Sequence, residues 1–444
     1  MDDKILTLLK EKQFSEIKKR FSQMHAADIA EQFDELENRE TAACLFRLLS
    51  KETAADVFAY MDPDSQELLI SAMTDTELHG VLENLFMDDI ADLAEEMPAN
   101  VVKRIMLNVN QKDRALINQY LNYPEDSAGS IMTCEYVYLK ESLTIREAFD
   151  VIRKTGLDKE TVYTCYTIDS VRHLLGSVTV LDMLMADPQK TVASVTKRNP
   201  VFVHTLDDQE DVAKMFQKYD LLAIPVVDKE ERLVGIVTID DAVDVIQEEN
   251  TEDFEKMAGM APSERSYMQS SVWDLAKQRI LWLMVLMVSA MVTGALLESY
   301  EAAISAIPLL VSFIPMLMDT GGNSGSQAST MIIRGMALDE ITPGDFIRVW
   351  FKEFRVALMV GSVLAVVNFA RIMVQYHNLH VALVVSLTMV GTVIVAKSMG
   401  CMLPMLAKRL KLDPAITASP MITTITDALT IFLFFSLAKT FLPI

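Results

Sequence analysis

The sequence predicts a multidomain membrane protein, in which an all-α superhelical N-terminal domain and a repeated α/β segment precede an all-α transmembrane domain of five helices. Three observations support this prediction. The mean hydropathy is positive although 23% of the 444 residues are charged, the longest apolar runs lie near the C-terminus, and the middle of the chain repeats itself. We expect domains at 1–127, 128–195 and 196–248, a connecting helix over 249–275 and the transmembrane domain over 276–444.

The charge is divided unevenly along the chain. Residues 1–275 hold 28 basic and 53 acidic side chains, a net charge of −25, whereas residues 276–444 hold 12 basic and 9 acidic side chains, a net charge of +3. So acidic a segment repels nucleic acid and anionic lipid, and its oxygen ligands suit hard cations such as Mg²⁺. A solubilising surface explains the same charge equally well. Nucleic acid is therefore not an expected partner.

The first 123 residues contain short amphipathic segments, several of which open with a helix-capping Ser, Thr or Asp. Each segment buries its apolar face only by stacking on the next, so we expect a helical superhelix. No basic segment followed by an apolar core opens the sequence, so no secretory signal is predicted. The four cysteines have no paired spacing and are expected to be reduced.

Between positions 130 and 246, β-rich runs alternate with helices and occur twice. The run LLGSVTVLD, which ends at Asp182, matches LVGIVTIDD, which ends at Asp241. A strand of this kind followed by x-x-D resembles a tandem pair of cystathionine-synthase-type (CBS) domains.

Five later runs are apolar enough to cross about 30 Å of hydrocarbon, which takes about 20 helical residues. They are 280–297, 302–318 with an interrupted continuation to 336, 356–374, 381–406 and 415–442. Lys and Arg collect in the loops after the second and fourth runs, whereas the loop after the first has Glu298 and Glu301 and no basic residue. By the positive-inside rule, we expect a plasma-membrane protein with a cytoplasmic N-terminus and an extracellular C-terminus.

Asp427 lies in the middle of the fifth run, with no Lys or Arg within two helical turns. A carboxylate inside a membrane usually faces a pore or cavity, and Thr423 shares its helix face. Pairing with Arg334 or Lys397 is the alternative. Because Mg²⁺ keeps several waters, two copies of Asp427 across a dimer axis could hold the hydrated ion, so we expect a homodimer.

The second run contains PMLMDTGGNSGSQ at 315–327, which predicts a broken helix whose freed backbone, with Asn323 and Gln327, lines an ion path. Close helix packing through the small residues is the alternative. The acidic run at 240–253 is either a solvated helix or a segment that a cation bridges to other acids, which would couple ion concentration to domain closure.

The whole chain resembles the MgtE family of Mg²⁺ channels, most specifically in GGNSGSQ and in the T-T-x-x-D that ends at Asp427. The resemblance implies a homodimer with a plug helix. It makes Asp427 the pore-selectivity aspartate, places Ser419 and Thr423 along the same path, and gives Asp413 a role in holding the plug helix near the pore.

The resemblance also implies closure by cytosolic Mg²⁺, which would bind between acidic domains. The implied sensor residues are Asp88, Asp92, Asp208, Glu210, Asp220, Asp241, Asp244, Glu249, Glu252 and Asp253. Some relatives bind ATP, for which Asp182, Thr238 and Asp241 are the candidate ligands here, although no basic residue for the phosphates is evident.

Two other function classes remain open from sequence. A transporter that couples Mg²⁺ to Na⁺ or H⁺ would need a second intramembrane ligand, for which Asp319 is the candidate. An enzyme regulated by CBS domains is disfavoured, because no catalytic or phosphate-loop motif occurs. The sequence does not fix the selectivity among Mg²⁺, Co²⁺, Ni²⁺ and Mn²⁺.

Overall fold

The computed structural model describes residues 3–36, 38–263, 267–268, 270–417 and 419–442. The chain forms two compact units, Met1–Ile246 and Gln247–Ile444, and each is described by itself.

The described residues of the first unit begin with ten short helices, of which α3 packs on α5, α4 on α6 and α5 on α7. Phe33 and Phe46 meet edge to face at 5.9 Å, and Phe46 and Phe58 at 6.4 Å, so one aromatic row joins successive helices. This confirms the predicted helical N-terminal domain. The helices are α1 Asp3–Lys10, α2 Phe14–Phe21, α3 Ala26–Asp34, α4 Arg39–Phe46, α5 Lys51–Ala59, α6 Pro63–Ala72, α7 Asp75–Leu82, α8 Met87–Glu96, α9 Ala99–Asn108 and α10 Gln111–Tyr120.

Two small sheets follow, and they repeat one pairing pattern. In each, a parallel pair of strands is extended by an antiparallel strand, in the order β1-β2-β3-β4 and β5-β6-β7. This confirms the predicted CBS pair. The strands are β1 Tyr136–Lys140, β2 Thr161–Ile168, β3 Leu174–Thr179, β4 Lys197–Arg198, β5 Val203–His204, β6 Ala223–Val227 and β7 Leu233–Thr238, and the helices are α11 Ile145–Thr155, α12 Val180–Met185, α13 Gln209–Tyr219 and α14 Ile239–Met257.

The connecting helix differs from the expected 249–275. Helix α14 starts ten residues earlier, directly after β7, and ends at Met257. Gly259 has a φ of +71°, its N–H donates to the Lys256 carbonyl at 2.9 Å, and the Met260 N–H donates to the Glu255 carbonyl at 2.9 Å. This Schellman motif ends the helix, since glycine adopts the left-handed conformation at low cost. Part of the expected range, 264–266 and 269, lies outside the described residues.

The second unit is helical, with α19 packed on α17, α18 and α20. Helix α15 packs on α20 and buries none of its described side chains. The helices are α15 Val272–Glu298, α16 Glu301–Ala306, α17 Ile314–Ala337, α18 Phe346–Tyr376, α19 Leu379–Arg409 and α20 Ser419–Phe441.

Four helices in the described part of the chain are long and apolar enough to cross a membrane, namely α15, α18, α19 and α20. Helix α17 has 24 residues, so its length suffices, but it carries Asp319, Arg334 and a polar centre. The predicted count of five spans depends on α17.

The predicted break at 315–327 is wrong, because this stretch lies inside the continuous helix α17. The interruption lies upstream, where a 3-10 turn over Pro308–Phe313 separates α16 from α17. Pro308 has no N–H to donate to a continuing helix. The glycines of α17 serve close packing instead.

Candidate functional site

Glycines and threonines bring α17 against its two neighbours. A Cβ on Gly321 would lie 2.9 Å from Thr392 on α19, one on Gly322 would lie 2.8 Å from Thr423 on α20, and one on Gly325 would lie 2.6 Å from Ile422. Side chains at these positions would therefore force the helices apart. The structure thus shows the close packing considered for GGNSGSQ, and lining of an ion path by Asn323 and Gln327 stays a prediction beside it.

A polar strip runs along the opposite, exposed face of α17. It consists of Asp319, Asn323 and Gln327, which follow one another at intervals of four residues. The Asn323 amide donates to Asp319 Oδ1 at 3.0 Å. Two residues predicted to line the path therefore share one face of one helix with a carboxylate.

Asp427 lies on α20, one turn after Thr423. Its Oδ1 is buried and has no hydrogen-bond partner among the described residues. The carboxylate of Asp319 is close enough to act on it electrostatically. An orphaned, buried carboxylate oxygen is costly unless a cation or water reaches it, which fits a ligand of a hydrated Mg²⁺. The side chain of Ser419, the other predicted lining residue on this helix, lies outside the described residues.

Both basic residues considered as partners of Asp427 are engaged elsewhere. Lys397 Nζ lies 3.4 Å from Glu353 Oε2, and the two side chains are only 7% and 16% exposed. Arg334 donates to the Asn250 side chain at 3.3 Å. Neither residue therefore forms the buried ion pair with Asp427 that was considered as the alternative.

The last turns of α14 lie beside the start of α20. Lys256 Nζ lies 2.7 Å from Asp413 Oδ2 and also contacts Glu252. Burial alone would lower the pKa of Lys256, but hydrogen bonds to Asp413 and Glu252 outweigh it and raise the pKa to about 12. Asp413 and Glu252 are thus in one cluster, as the resemblance implies, but a lysine that the sequence analysis missed joins them.

The first unit gathers five carboxylates that act on one another. Two were predicted, Asp88 on α8 and Asp241 on α14, and three were missed, Asp89, Glu135 and Glu160. Burial, reinforced by neighbouring acids, raises the pKa of Asp88 well above its ordinary value and that of Glu160 to about 7. Asp88 Oδ1 is buried without a hydrogen-bond partner among the described residues. We call these five residues the acidic cluster.

The remaining predicted sensor residues are more dispersed. In the first unit, Asp244 is exposed, Asp208 caps α13, Glu210 pairs with Lys214 at 2.8 Å, and Asp220 holds a left-handed conformation after α13. Asp92 lies one turn after Asp88 on α8 and borders the acidic cluster, because desolvation, reinforced by the charges of Asp89 and Asp241 among other acids, raises its pKa to about 7. In the second unit, Glu249 and Asp253 lie on α14 with Glu252. Among the described residues of one chain, no three His, Cys, Asp or Glu side chains are arranged to hold a metal ion alone. A bound ion would need water or a second chain to complete its shell.

In each of the two T-x-x-D motifs, Thr179 to Asp182 and Thr238 to Asp241, the threonine hydroxyl donates to the aspartate carboxylate at the start of a helix. Thr179 and Asp182 cap α12, and Thr238 Oγ1 contacts Asp241 at the start of α14. Asp182 Oδ2 lies 2.9 Å from Lys197 Nζ. Strand β4 therefore brings a basic residue, Lys197, beside the first motif, which the sequence analysis did not anticipate.

Family comparisons cover most of the chain. Residues 314–437 match the divalent cation transporter family, residues 24–126 the MgtE intracellular N domain, and residues 192–248 the CBS domain. Among curated relatives, the magnesium transporter MgtE of Thermus thermophilus is 35% identical over 357 residues, 80% of this chain and 79% of that protein. The magnesium transporter MgtE of Enterococcus faecalis is 33% identical over 73% of this chain and 71% of its own.

Solved structures agree with these relatives. The cytosolic domain of the Mg²⁺ channel MgtE in complex with ATP is 34% identical and superimposes with a TM-score of 0.52 over 54% of this chain and 98% of that one. The matching family is a transporter family whose CBS domains are regulatory, which confirms that the chain is not an enzyme. The chain is thus a membrane protein that belongs to the MgtE family of magnesium transporters.

Proposed function

We propose that this protein is a homodimeric, Mg²⁺-selective channel that imports Mg²⁺ across the plasma membrane and closes when Mg²⁺ binds its cytoplasmic acids. The observation that carries the proposal is the buried Oδ1 of Asp427, which has no hydrogen-bond partner among the described residues, lies one turn after Thr423 and is within electrostatic reach of Asp319 on α17. The N-terminus lies in the cytoplasm and the C-terminus outside, and α17 completes five spans. The domain boundaries are those predicted above, except that the connecting helix is α14, Ile239–Met257.

Conduction follows from the chemistry of these groups. One carboxylate per chain attracts a divalent cation, while hydroxyl and amide groups can contact its water shell without stripping it. Two chains would present two Asp427 carboxylates to one ion. A site of this modest strength lets the ion leave again, which conduction requires.

Closure follows from the acidic cluster. At low Mg²⁺, the carboxylates repel one another, and they are costly to ionise where they are buried. Mg²⁺ bound to Asp88 and Asp241, with water and further acids completing its shell, would remove that repulsion and hold the N-terminal domain on the CBS pair. The energy of ion binding then favours the closed state.

The pore is tested by Mg²⁺ flux into proteoliposomes that contain wild type or Asp427→Ala. Loss of one charged ligand, worth about 1.5–3 kcal/mol, should lower flux by about ten- to a hundredfold. Ser436→Ala is the matched control, because among the described residues its hydroxyl donates to the Phe432 carbonyl on the same helix, at 2.6 Å. Equal flux in Asp427→Ala and wild type would place the ion site elsewhere.

The same vesicles separate a channel from a coupled transporter. Wild-type flux should not change when an opposing Na⁺ or H⁺ gradient is imposed. Flux that follows either gradient would instead favour coupled transport, with Asp319 as the additional ligand. Replacing Mg²⁺ by Co²⁺, Ni²⁺ or Mn²⁺ in this assay gives the selectivity.

A second candidate function is regulation by ATP at the CBS pair. A relative has been crystallised with ATP, and Lys197 beside Asp182 supplies a cation that could face a phosphate. We propose Asp182 rather than the Asp241 motif as the nucleotide site, because Asp241 belongs to the acidic cluster, which repels a polyanion. Lys197→Gln should weaken ATP binding in calorimetry, whereas unchanged binding would exclude this site.

A further inference from the structure

The ammonium group of Lys256 occupies a position between two carboxylates to which the proposed gate assigns a cation. It lies 2.7 Å from Asp413 Oδ2 and contacts Glu252 on its own helix. The side chains of Lys256 and Asp413 are 21% and 29% exposed, so water screens the pair only in part. The other oxygen of Asp413 accepts the Ala415 N–H at 2.8 Å, so both oxygens are engaged within one chain.

Lys256 thus bridges Glu252 and Asp413, and this bridge lies where the end of α14 meets the start of α20. Three residues after Lys256, a Cβ on Gly259 would lie 2.2 Å from Trp282 and 3.1 Å from Pro420. The Ala261 N–H donates to the Gln278 carbonyl at 3.1 Å, which ties the same segment to α15. Pro420 precedes Thr423 by one turn and Asp427 by two. Whatever fixes Lys256 therefore fixes the end of α14 beside the helix that carries the pore carboxylate.

We propose that Lys256 is a positioning residue that acts as a built-in cation, holding the end of α14 on Asp413 when no Mg²⁺ is bound. The inference rests on the proposed function, since it concerns the gate of that channel. Without a cation, Glu252 and Asp413 would repel one another. The lysine replaces that repulsion by charge-assisted hydrogen bonds.

The bridge also limits what Mg²⁺ can do at this position. An ion that binds Asp413 must displace the ammonium, so the lysine and Mg²⁺ compete for one carboxylate oxygen. Lys256 therefore closes the gate in part, and Mg²⁺ completes the closure by binding other acidic residues. Removing the lysine should make closure depend more strongly on Mg²⁺.

The test compares Lys256→Gln with Lys277→Gln in proteoliposomes at low and high internal Mg²⁺. Lys277 is the matched control, because it carries the same charge in the same unit and, within the described part of the chain, pairs with an acid of its own helix, Asp274, at 3.8 Å. Lys256→Gln should raise flux at low Mg²⁺ by about fivefold and keep closure at high Mg²⁺. A flux curve that equals wild type, or an equal rise in Lys277→Gln, would overturn the proposal.

A charge exchange separates positioning from general damage. The double variant Lys256→Glu with Asp413→Lys restores opposite charges across the same contact, so low-Mg²⁺ flux should return toward wild type. Asp413→Lys alone should open the gate, because it places two lysines together. A double variant as open as either single one would contradict a charge bridge.

A distance measurement makes the test independent of conduction. Spin labels at exposed Thr251 and Leu412, in a chain whose four cysteines are replaced and which is diluted with unlabelled protein, report the separation of α14 from the Asp413 loop. In EDTA, wild type should give one narrow distance, and Lys256→Gln a broad one that narrows with Mg²⁺. Identical narrow distributions in EDTA would refute the bridge. Wild-type flux that ignores internal Mg²⁺ would instead refute the proposed gate and leave the bridge standing.

Discussion

Both units contain carboxylates in poorly solvated positions, but these are clustered in the first unit and isolated in the second. In the first unit, the five carboxylates of the acidic cluster act on one another electrostatically. None of them forms an ion pair with a lysine or arginine among the described residues. In the second unit, Glu353 is neutralised by Lys397, and Asp427 keeps one oxygen orphaned. Many clustered charges favour a cation strongly enough to hold domains together, whereas one charge per chain lets an ion bind and leave. Under the proposed function, this comparison assigns sensing to the acidic cluster and conduction to Asp427.

The largest expected effect comes from creating a second unpaired acid in the second unit. Lys397→Met leaves Glu353 buried without its cation, which should lower the free energy of unfolding by about 3–5 kcal/mol. All three tryptophans lie in this unit, and Trp350 donates to Ser398, the neighbour of Lys397, at 3.1 Å. Tryptophan fluorescence on heating in detergent therefore reports the loss.

The double variant Lys397→Met with Glu353→Met controls for packing. It should recover most of the lost stability, because no buried charge remains. If the single and double variants are equally unstable, the pair stabilises the unit through shape rather than charge.

A smaller effect is expected from the helix packing beside Asp427. A Cβ on Gly400 would lie 2.3 Å from the Gly325 carbonyl oxygen, so Gly400→Ala should separate α17 from α19 and cost about 1–3 kcal/mol. Gly294→Ala on α15 is the control, since nothing lies within 4 Å of its Cβ. Thermal unfolding in detergent compares the two, and equal melting temperatures would show that the close approach is not required.

The smallest effect concerns the pH dependence of the first unit. Burial raises the pKa of Asp89 and of Asp241 to about 6, above the ordinary value of 3.8. The folded state thus binds more protons than the unfolded state between about pH 4 and pH 6, and stability falls as pH rises through that window. We expect a loss of order 1 kcal/mol per group in Mg²⁺-free buffer, after allowance for partial solvent screening.

Calorimetry of the full chain at pH 5 and pH 8 measures this loss, and added Mg²⁺ should restore stability at pH 8. Asp88→Asn should raise stability at pH 8 without Mg²⁺, whereas exposed Asp64→Asn should not. A first unit that is more stable at pH 8 than at pH 5 without Mg²⁺ would show that its acids are paired.

The fold class could be predicted from the sequence, and Asp427 could be singled out as a candidate ion ligand, because both depend on local patterns. Amphipathic periodicity predicted the N-terminal helices, and the constant shift between the two T-x-x-D runs predicted the paired sheets. A lone acid in an apolar run is visible without coordinates. These features needed no knowledge of distant contacts.

Features set by distant contacts were missed. GGNSGSQ was predicted to break the helix, because the sequence does not reveal that its glycines contact Thr392, Thr423 and Ile422 on other helices. Glu135 and Glu160 lie in separate connections that the sheet brings toward Asp241. Lys256 was overlooked because it follows a strongly acidic run and its partner Asp413 is far along the chain. A lysine four residues after a glutamate in such a run was the only local signal.

The most direct test of the separation between sensing and conduction is Mg²⁺ flux as a function of internal Mg²⁺, measured for wild type, Asp427→Asn and the double variant Asp88→Asn with Asp241→Asn. Asp427→Asn should lower flux at every Mg²⁺ concentration. Because the double variant lacks two of the repelling charges and the ion ligands that they provide, its flux should change little with internal Mg²⁺, whereas Asp427→Asn should keep the Mg²⁺ dependence of wild type at lower flux. If both variants change the same part of the curve, sensing and conduction are not assigned to separate carboxylates.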